Sequence, residues 1–177
     1  MLAGISASVN LSARQLPQVD LLTIVDQALA THRIDPARLT LEITESVLME
    51  EGIAPESTMT LLRRLGVRLA LDDFGTGYSS LSYLQRFRLD ALKLDRAFVA
   101  GLGSGGRDDA ITGAIVTMAA ALGMSVVAEG IETPAQLEVL QRLGCKLGQG
   151  YYFAKPAPGD ELLDKLSGRR GDLRLAS

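Results

Sequence analysis

Six short apolar stretches punctuate this chain at a nearly regular interval. They run Ile5 to Asn10, Leu39 to Thr44, Val67 to Asp72, Ala91 to Leu94, Ser125 to Glu129 and Leu147 to Tyr151, each with the length and composition of a buried strand. Between most of them lie amphipathic helical patterns. Ile111, Ile115, Met118 and Leu122 recur at helical steps. Thr133-Pro134-Ala135-Gln136 has the cap, the first-turn proline and the glutamine of a capping box. Asp20 opens a third helix ahead of Leu22, Val25 and Leu29. In "GSGGRDD", residues 103 to 109, a linker is expected to end with Asp108 or Asp109 capping the next helix.

Strand alternating with helix implies a parallel sheet whose crossover helices lie outside it. The strand starts fall on average about 28 residues apart, close to one unit of a (β/α)₈ barrel of roughly 250 residues. A chain of 177 residues therefore holds about six units. It is either an open doubly wound sheet or a barrel whose first two units are absent. The strand ends separate these readings. Asn10, Glu42, Asp72 with Asp73, Lys93, Glu129 and Gln149 stand at or near the C-terminal ends of the six strands in turn. An open sheet concentrates functional groups at one crevice, whereas a barrel gathers all its strand ends around one mouth. The distribution favours an α/β, TIM-barrel-like fold that is incomplete, spanning residues 1–177 as one partial domain.

Four carboxylates (Glu42, Asp72, Asp73, Glu129) and the amide oxygen of Asn10 at one mouth would repel one another unless cations stood between them. With one histidine and one cysteine in the chain, the donors are oxygens, which suit Mg²⁺ or Mn²⁺. Adjacent aspartates can each face a different ion, as a two-metal displacement at phosphorus requires. Lys93 adds a charge able to orient water or to stabilise a developing phosphorane. Phosphodiester hydrolysis is the leading chemistry. Each residue also has a plainer reading: Asp72-Asp73 as a turn signal or helix cap, Asn10 as a turn start, Glu42 on an edge strand, Glu129 capping a turn. Cys145 reads as a packing residue, His32 as a surface residue near a helix end, and Tyr151, Tyr152 and Phe153 as mostly core.

The segments "VNLSARQL" (9 to 16), "LEITES" (41 to 46), "LRRLGVRLALDDFGTGYSSLSYL" (62 to 84), "LDALKLDRAFV" (89 to 99), "VVAEGIET" (126 to 133) and "LGCKLGQGYYFAKP" (143 to 156) resemble, in the same order, those of the EAL-domain cyclic di-GMP phosphodiesterases. That family has a modified TIM barrel and hydrolyses cyclic di-GMP to linear pGpG with two Mg²⁺ or Mn²⁺ ions. The resemblance implies that Asn10, Glu42 and Asp72 are metal ligands, with Asp72 bridging, and that Asp73 and Glu129 serve the second metal. It further implies that Glu129 is a general base and that Lys93 and Gln149 contact the nucleophilic water. Glu132 is implied to hold the loop Phe74, Gly75, Thr76, Gly77, Tyr78, Ser79 and Ser80, which couples metal binding to a homodimer in the family.

The Glu-Ala-Leu tripeptide of the family's second strand does not occur in these 177 residues. The chain is therefore expected to begin at the third strand, to leave two strand edges and an apolar barrel interior uncovered, and to be weak or inactive as an enzyme when isolated. A non-catalytic module that binds cyclic di-GMP or dimerises is the alternative. Fused sensory or cyclase domains outside this chain fit either reading. A formal charge of −3, with basic residues scattered apart from Arg169, Arg170 and Arg174, excludes a general nucleic-acid-binding surface. Without a signal peptide or a long apolar run, the expected location is cytoplasmic, or the cytoplasmic portion of a larger membrane-associated protein.

Overall fold

In the computed structural model, residues 5–49, 56–75, 84, 86–104 and 106–162 are described. Strands β1 (Ala7–Leu11), β2 (Leu39–Thr44), β3 (Arg68–Phe74), β4 (Ala91–Leu94), β5 (Ser125–Ala128) and β6 (Leu147–Gly148) form a single all-parallel sheet in sequence order. A doubly wound sheet reverses direction at a switch point. This one never reverses, so each right-handed crossover leaves its helices on the same side and the strands sweep out an arc of a barrel. The limits of β2 and β4 coincide with those expected from sequence, and the others shift by one to three residues at one or both ends.

Outside the arc lie α1 (Leu21–His32), α2 (Glu45–Met49), α3 (Glu56–Arg64), α4 (Arg96–Ala100), α5 (Arg107–Ala121) and α6 (Pro134–Arg142). Leu41, Ile43, Leu69, Leu71, Leu92 and Leu94 point to that side and are buried against Val25 and Leu29 of α1, Met59 and Leu62 of α3, Val116 of α5 and Val139 and Leu140 of α6. Each such side chain contributes roughly 1.5–3 kcal/mol by leaving water. The opposite face reads Asn10, Glu42, Ala70, Ala91 and Ser125 along one row of register partners. Small and polar side chains line the concave side of the arc, where an apolar interior was expected.

Local signals hold in part. Thr133 caps α6 with both halves of the capping box formed. Asp20 occupies the N-cap of α1 without a side-chain hydrogen bond. Helix α5 begins after Gly106, with Asp108 and Asp109 inside its first turn, so neither aspartate is the cap. Asp109 Oδ1 instead accepts the Gly103 N–H at 3.2 Å. The buried stripe of α5 is Thr112, Val116 and Ala119, one position round from the expected Ile111, Ile115, Met118 and Leu122. Small residues let this helix lie close, and Thr112 Oγ1 donates to the Phe98 carbonyl. Tyr151, Tyr152 and Phe153 are exposed, not core, because they follow β6 in a turn at the edge of the sheet. Among the described residues no helix is long and apolar enough to cross a membrane.

Candidate active site

The sheet's stagger brings the strand ends level. Asn10 pairs in register with Glu42 on one row, and Thr44 with Asp72 and Lys93 with Val127 a step further along. Glu129 and Gln149 lie one residue past β5 and β6, held by Glu129 N–H to the Leu94 carbonyl and Gln149 N–H to the Ala128 carbonyl. Every second strand towards β6 climbs one row, which is the shear that tilted barrel strands require. Residues distant in sequence thereby meet at one height.

Lys93 is at the centre of the group. Its Nζ lies 2.6 Å from Glu42 Oε2, 2.7 Å from Glu129 Oε1 and 2.9 Å from Asp72 Oδ1. All four side chains are buried or nearly so. Burial works against the ammonium, but hydrogen bonds to Glu129, Glu42 and Asp72 outweigh it and hold the lysine pKa above its ordinary value. Gln149 Nε2 donates to Glu129 Oε1 at 2.7 Å, so Glu129 is fixed from two sides. Burial raises the Glu129 pKa, with Asp72 and Glu42 adding to the rise and Lys93 opposing it.

Asp73 solves a geometric problem. Neighbours on a regular strand point to opposite faces, so an inward Asp72 should send Asp73 outward among the helices. The ladder between β3 and β4 is irregular from Leu71 to Phe74, and Asp73 takes a left-handed backbone with φ 54°. Aspartate tolerates that conformation better than most residues. Its N–H donates to Asp72 Oδ1 at 3.0 Å. The result is that Asp72, Asp73 and Glu129 each offer an oxygen within 4.8 Å of the others. Burial and the neighbouring Asp72 and Asp95 charges raise the Asp73 pKa, with Lys93 opposing.

This donor set fits divalent cations. Three carboxylate oxygens converge without a sulfur or imidazole among them, and the chemistry is that of hard ions. Asn10 fits in the same way. With its amide nitrogen inward it donates to Glu42 Oε2 at 3.0 Å and to Asp72 Oδ2 at 3.3 Å, whereas its oxygen turned inward faces only acceptors.

The loop after β3 starts at Phe74 and Gly75. Phe74 is buried in the core and paired with Leu94, so its ring serves packing. Gly75 has φ +93°, and a Cβ there would lie 2.4 Å from the Phe98 ring. Thr76, Gly77, Tyr78, Ser79 and Ser80 lie outside the described residues. Among the described residues, Glu45 reaches the start of this loop, its Oε2 accepting the Gly75 N–H at 3.3 Å. Glu132, expected to hold this loop, is exposed, and its own N–H donates to Gln136 Oε1 beside the cap of α6. Glu45 was legible only as a polar residue between Thr44 and Ser46. Its buried place beneath the β3 end depends on tertiary packing.

Fold and site together define a singly wound parallel α/β half-barrel with an acidic, lysine-centred mouth. The model of the EAL domain matches residues 2–156, and the chain belongs to the EAL domain family of cyclic di-GMP phosphodiesterases. It is 44% identical over 156 residues to the bifunctional diguanylate cyclase/cyclic di-GMP phosphodiesterase MucR of Pseudomonas aeruginosa, covering 88% of this chain and 23% of MucR. Against the EAL domain of Mycobacterium smegmatis DcpA the TM-score is 0.86 at 39% identity, covering 93% of this chain and 74% of that one. Against Klebsiella pneumoniae BlrP1 in a manganese/cyclic di-GMP complex the TM-score is 0.81 at 32% identity, covering 88% of this chain and 40% of that one. The chain spans between 20% and 26% of the length of the first curated relatives it matches, which are larger proteins.

Proposed function

We propose that this chain carries the metal-binding half of a phosphodiesterase that opens cyclic di-GMP to linear pGpG. The observation that carries the reading is the convergence of Glu42, Asp72 and Glu129 on Lys93, with Asp73 turned in beside them. Four carboxylates against one ammonium leave a formal charge of −3 in a partly buried mouth, and two divalent ions would reverse its sign and make room for a phosphodiester. Asn10, Glu42, Asp72, Asp73 and Glu129 would hold a pair of Mg²⁺ or Mn²⁺ ions. Such a pair polarises the phosphoryl oxygens and lowers the pKa of bound water.

Within that mouth Lys93 orients the attacking water and offsets charge that builds on phosphorus. Glu129 receives the water's proton. Gln149 Nε2 donates to its Oε1 and holds the carboxylate in place for that transfer. The loop that starts at Gly75 is the proposed contact for a second copy. Further domains of the parent protein are the proposed source of control.

The test is chromatographic assay of pGpG formed from cyclic di-GMP in Mg²⁺ or Mn²⁺. Three proteins are compared: the chain alone, the chain joined to an upstream segment bearing Glu-Ala-Leu, and that longer protein with Asp72→Asn. Turnover is expected from the longer protein, with a loss of about a hundredfold or more in Asp72→Asn, and little from the chain alone. Full activity of the chain alone would contradict the incomplete-site reading. A folded longer protein that binds cyclic di-GMP without hydrolysing it would favour a binding module.

A further inference from the structure

The arginines that look scattered in sequence are not scattered in space. At the N-terminal end of the sheet, opposite the carboxylate mouth, a cleft of about 450 Å³ opens between the last turns of α3 and residues 86–88. Four arginines line it, Arg63, Arg64, Arg86 and Arg88, together with Thr60 and the apolar side chains of Met59 and Phe87. Among the described residues no carboxylate lines it, in a chain whose formal charge is −3.

One of the arginines builds the cleft. Arg63 donates to the Arg88 carbonyl and faces Asp90 Oδ1 at 3.8 Å, and Asp90 Oδ2 accepts the Leu69 N–H at 2.9 Å. This chain of contacts ties the end of α3 to the starts of β3 and β4. The Arg86 guanidinium lies 5.6 Å from the centroid of the Phe87 ring, and Phe87 is buried, so that charge sits over a fixed apolar surface. Arg64 and Arg88 are exposed, and among the described residues neither has a carboxylate within salt-bridge distance.

We infer that this cleft is a binding site for a phosphate ester of a small organic molecule, separate from the reaction mouth. Guanidinium forks match phosphate oxygens bidentately, and Thr60 adds a hydroxyl donor. Met59, Phe87 and the arginine stems supply a surface for an organic group. The volume lies within the range of small-molecule pockets, roughly 300–1,000 Å³. An anion bound there would lie before the start of β3, whereas Asp72 lies near the other end of that strand. It would touch α3 and the segment that leads into β4, the strand that carries Lys93.

The experiment is isothermal titration calorimetry of the full chain in EDTA, with its fold checked by circular dichroism. Without divalent ions the acidic mouth repels phosphate. The probes are AMP, adenosine and inorganic phosphate, titrated against the wild type, Arg64→Gln/Arg88→Gln and Glu129→Gln. Saturable AMP binding is expected, with adenosine silent, phosphate weaker, and roughly a tenfold or greater loss in the double arginine variant. Glu129→Gln should leave AMP binding unchanged. The assignment is overturned if adenosine binds as well as AMP, if the arginine variant binds AMP normally, if Glu129→Gln abolishes binding, or if the folded wild type shows no saturable AMP binding up to about 5 mM.

Discussion

Lys93 is the residue on which the mouth turns. Its ammonium is the protein's own counterion for Glu42, Asp72 and Glu129, and removing it leaves buried charges facing one another. Lys93→Met is therefore expected to destabilise the chain by about 3 kcal/mol in urea unfolding without divalent ions, and by clearly less when Mn²⁺ is present. An equal loss in both conditions would mean that cations do not enter this cluster. The raised carboxyl pKa values give a second expectation. Glu129 and Asp73 keep their protons to higher pH folded than unfolded, so the folded chain binds more protons above the ordinary values of 4.5 and 3.8. Stability should fall as pH rises through that window. Lys93 acts elsewhere on the scale, its contribution being complete below 10.5 and lost above its raised folded value. Urea midpoints across the acid range should show the slope, and Glu129→Gln or added Mg²⁺ should flatten it.

Elements were more legible than contacts. The strands showed as apolar runs because parallel strands are buried on the helix side and need Leu, Val and Ile there. The capping box of α6 showed as well, since Thr133, Pro134 and Gln136 act within one turn. Thr133→Ala is expected to cost about 1 kcal/mol of stability by urea unfolding. What periodicity hides is which stripe faces inward. In α5 the close-packed residues are Thr112 and Ala119, and hydropathy alone ranks Ile111 and Met118 above them. Strand alternation likewise sends Asp73 outward, because the irregular pairing and left-handed backbone that turn it in depend on β4 being in place. Gly75 belongs to the same device. Gly75→Ala would force a Cβ against Phe98 at an unfavourable φ and is expected to lower stability by about 1–3 kcal/mol, read from the shift in the unfolding midpoint.

At the scale of the whole molecule, the six units and their polar strand ends follow from spacing alone, but the composition of the concave wall does not. Asn10, Glu42, Ala70, Ala91 and Ser125 make that wall small and polar, whereas the helix side holds the core. The sheet's outermost strands are β1 and β6, and Ile5 and Val9 at β1 are exposed apolar side chains. Such an edge invites pairing with another chain. Val9→Lys is expected to reduce concentration-dependent association in light scattering without lowering the unfolding midpoint. We propose that the lysine-centred carboxylates form a divalent-cation site. Calorimetric titration of Mn²⁺ into wild type and Asp72→Asn tests it most directly. Saturable binding in the wild type, weakened about tenfold or more in Asp72→Asn, is the expected result, and Mn²⁺ affinity indifferent to that substitution would contradict it.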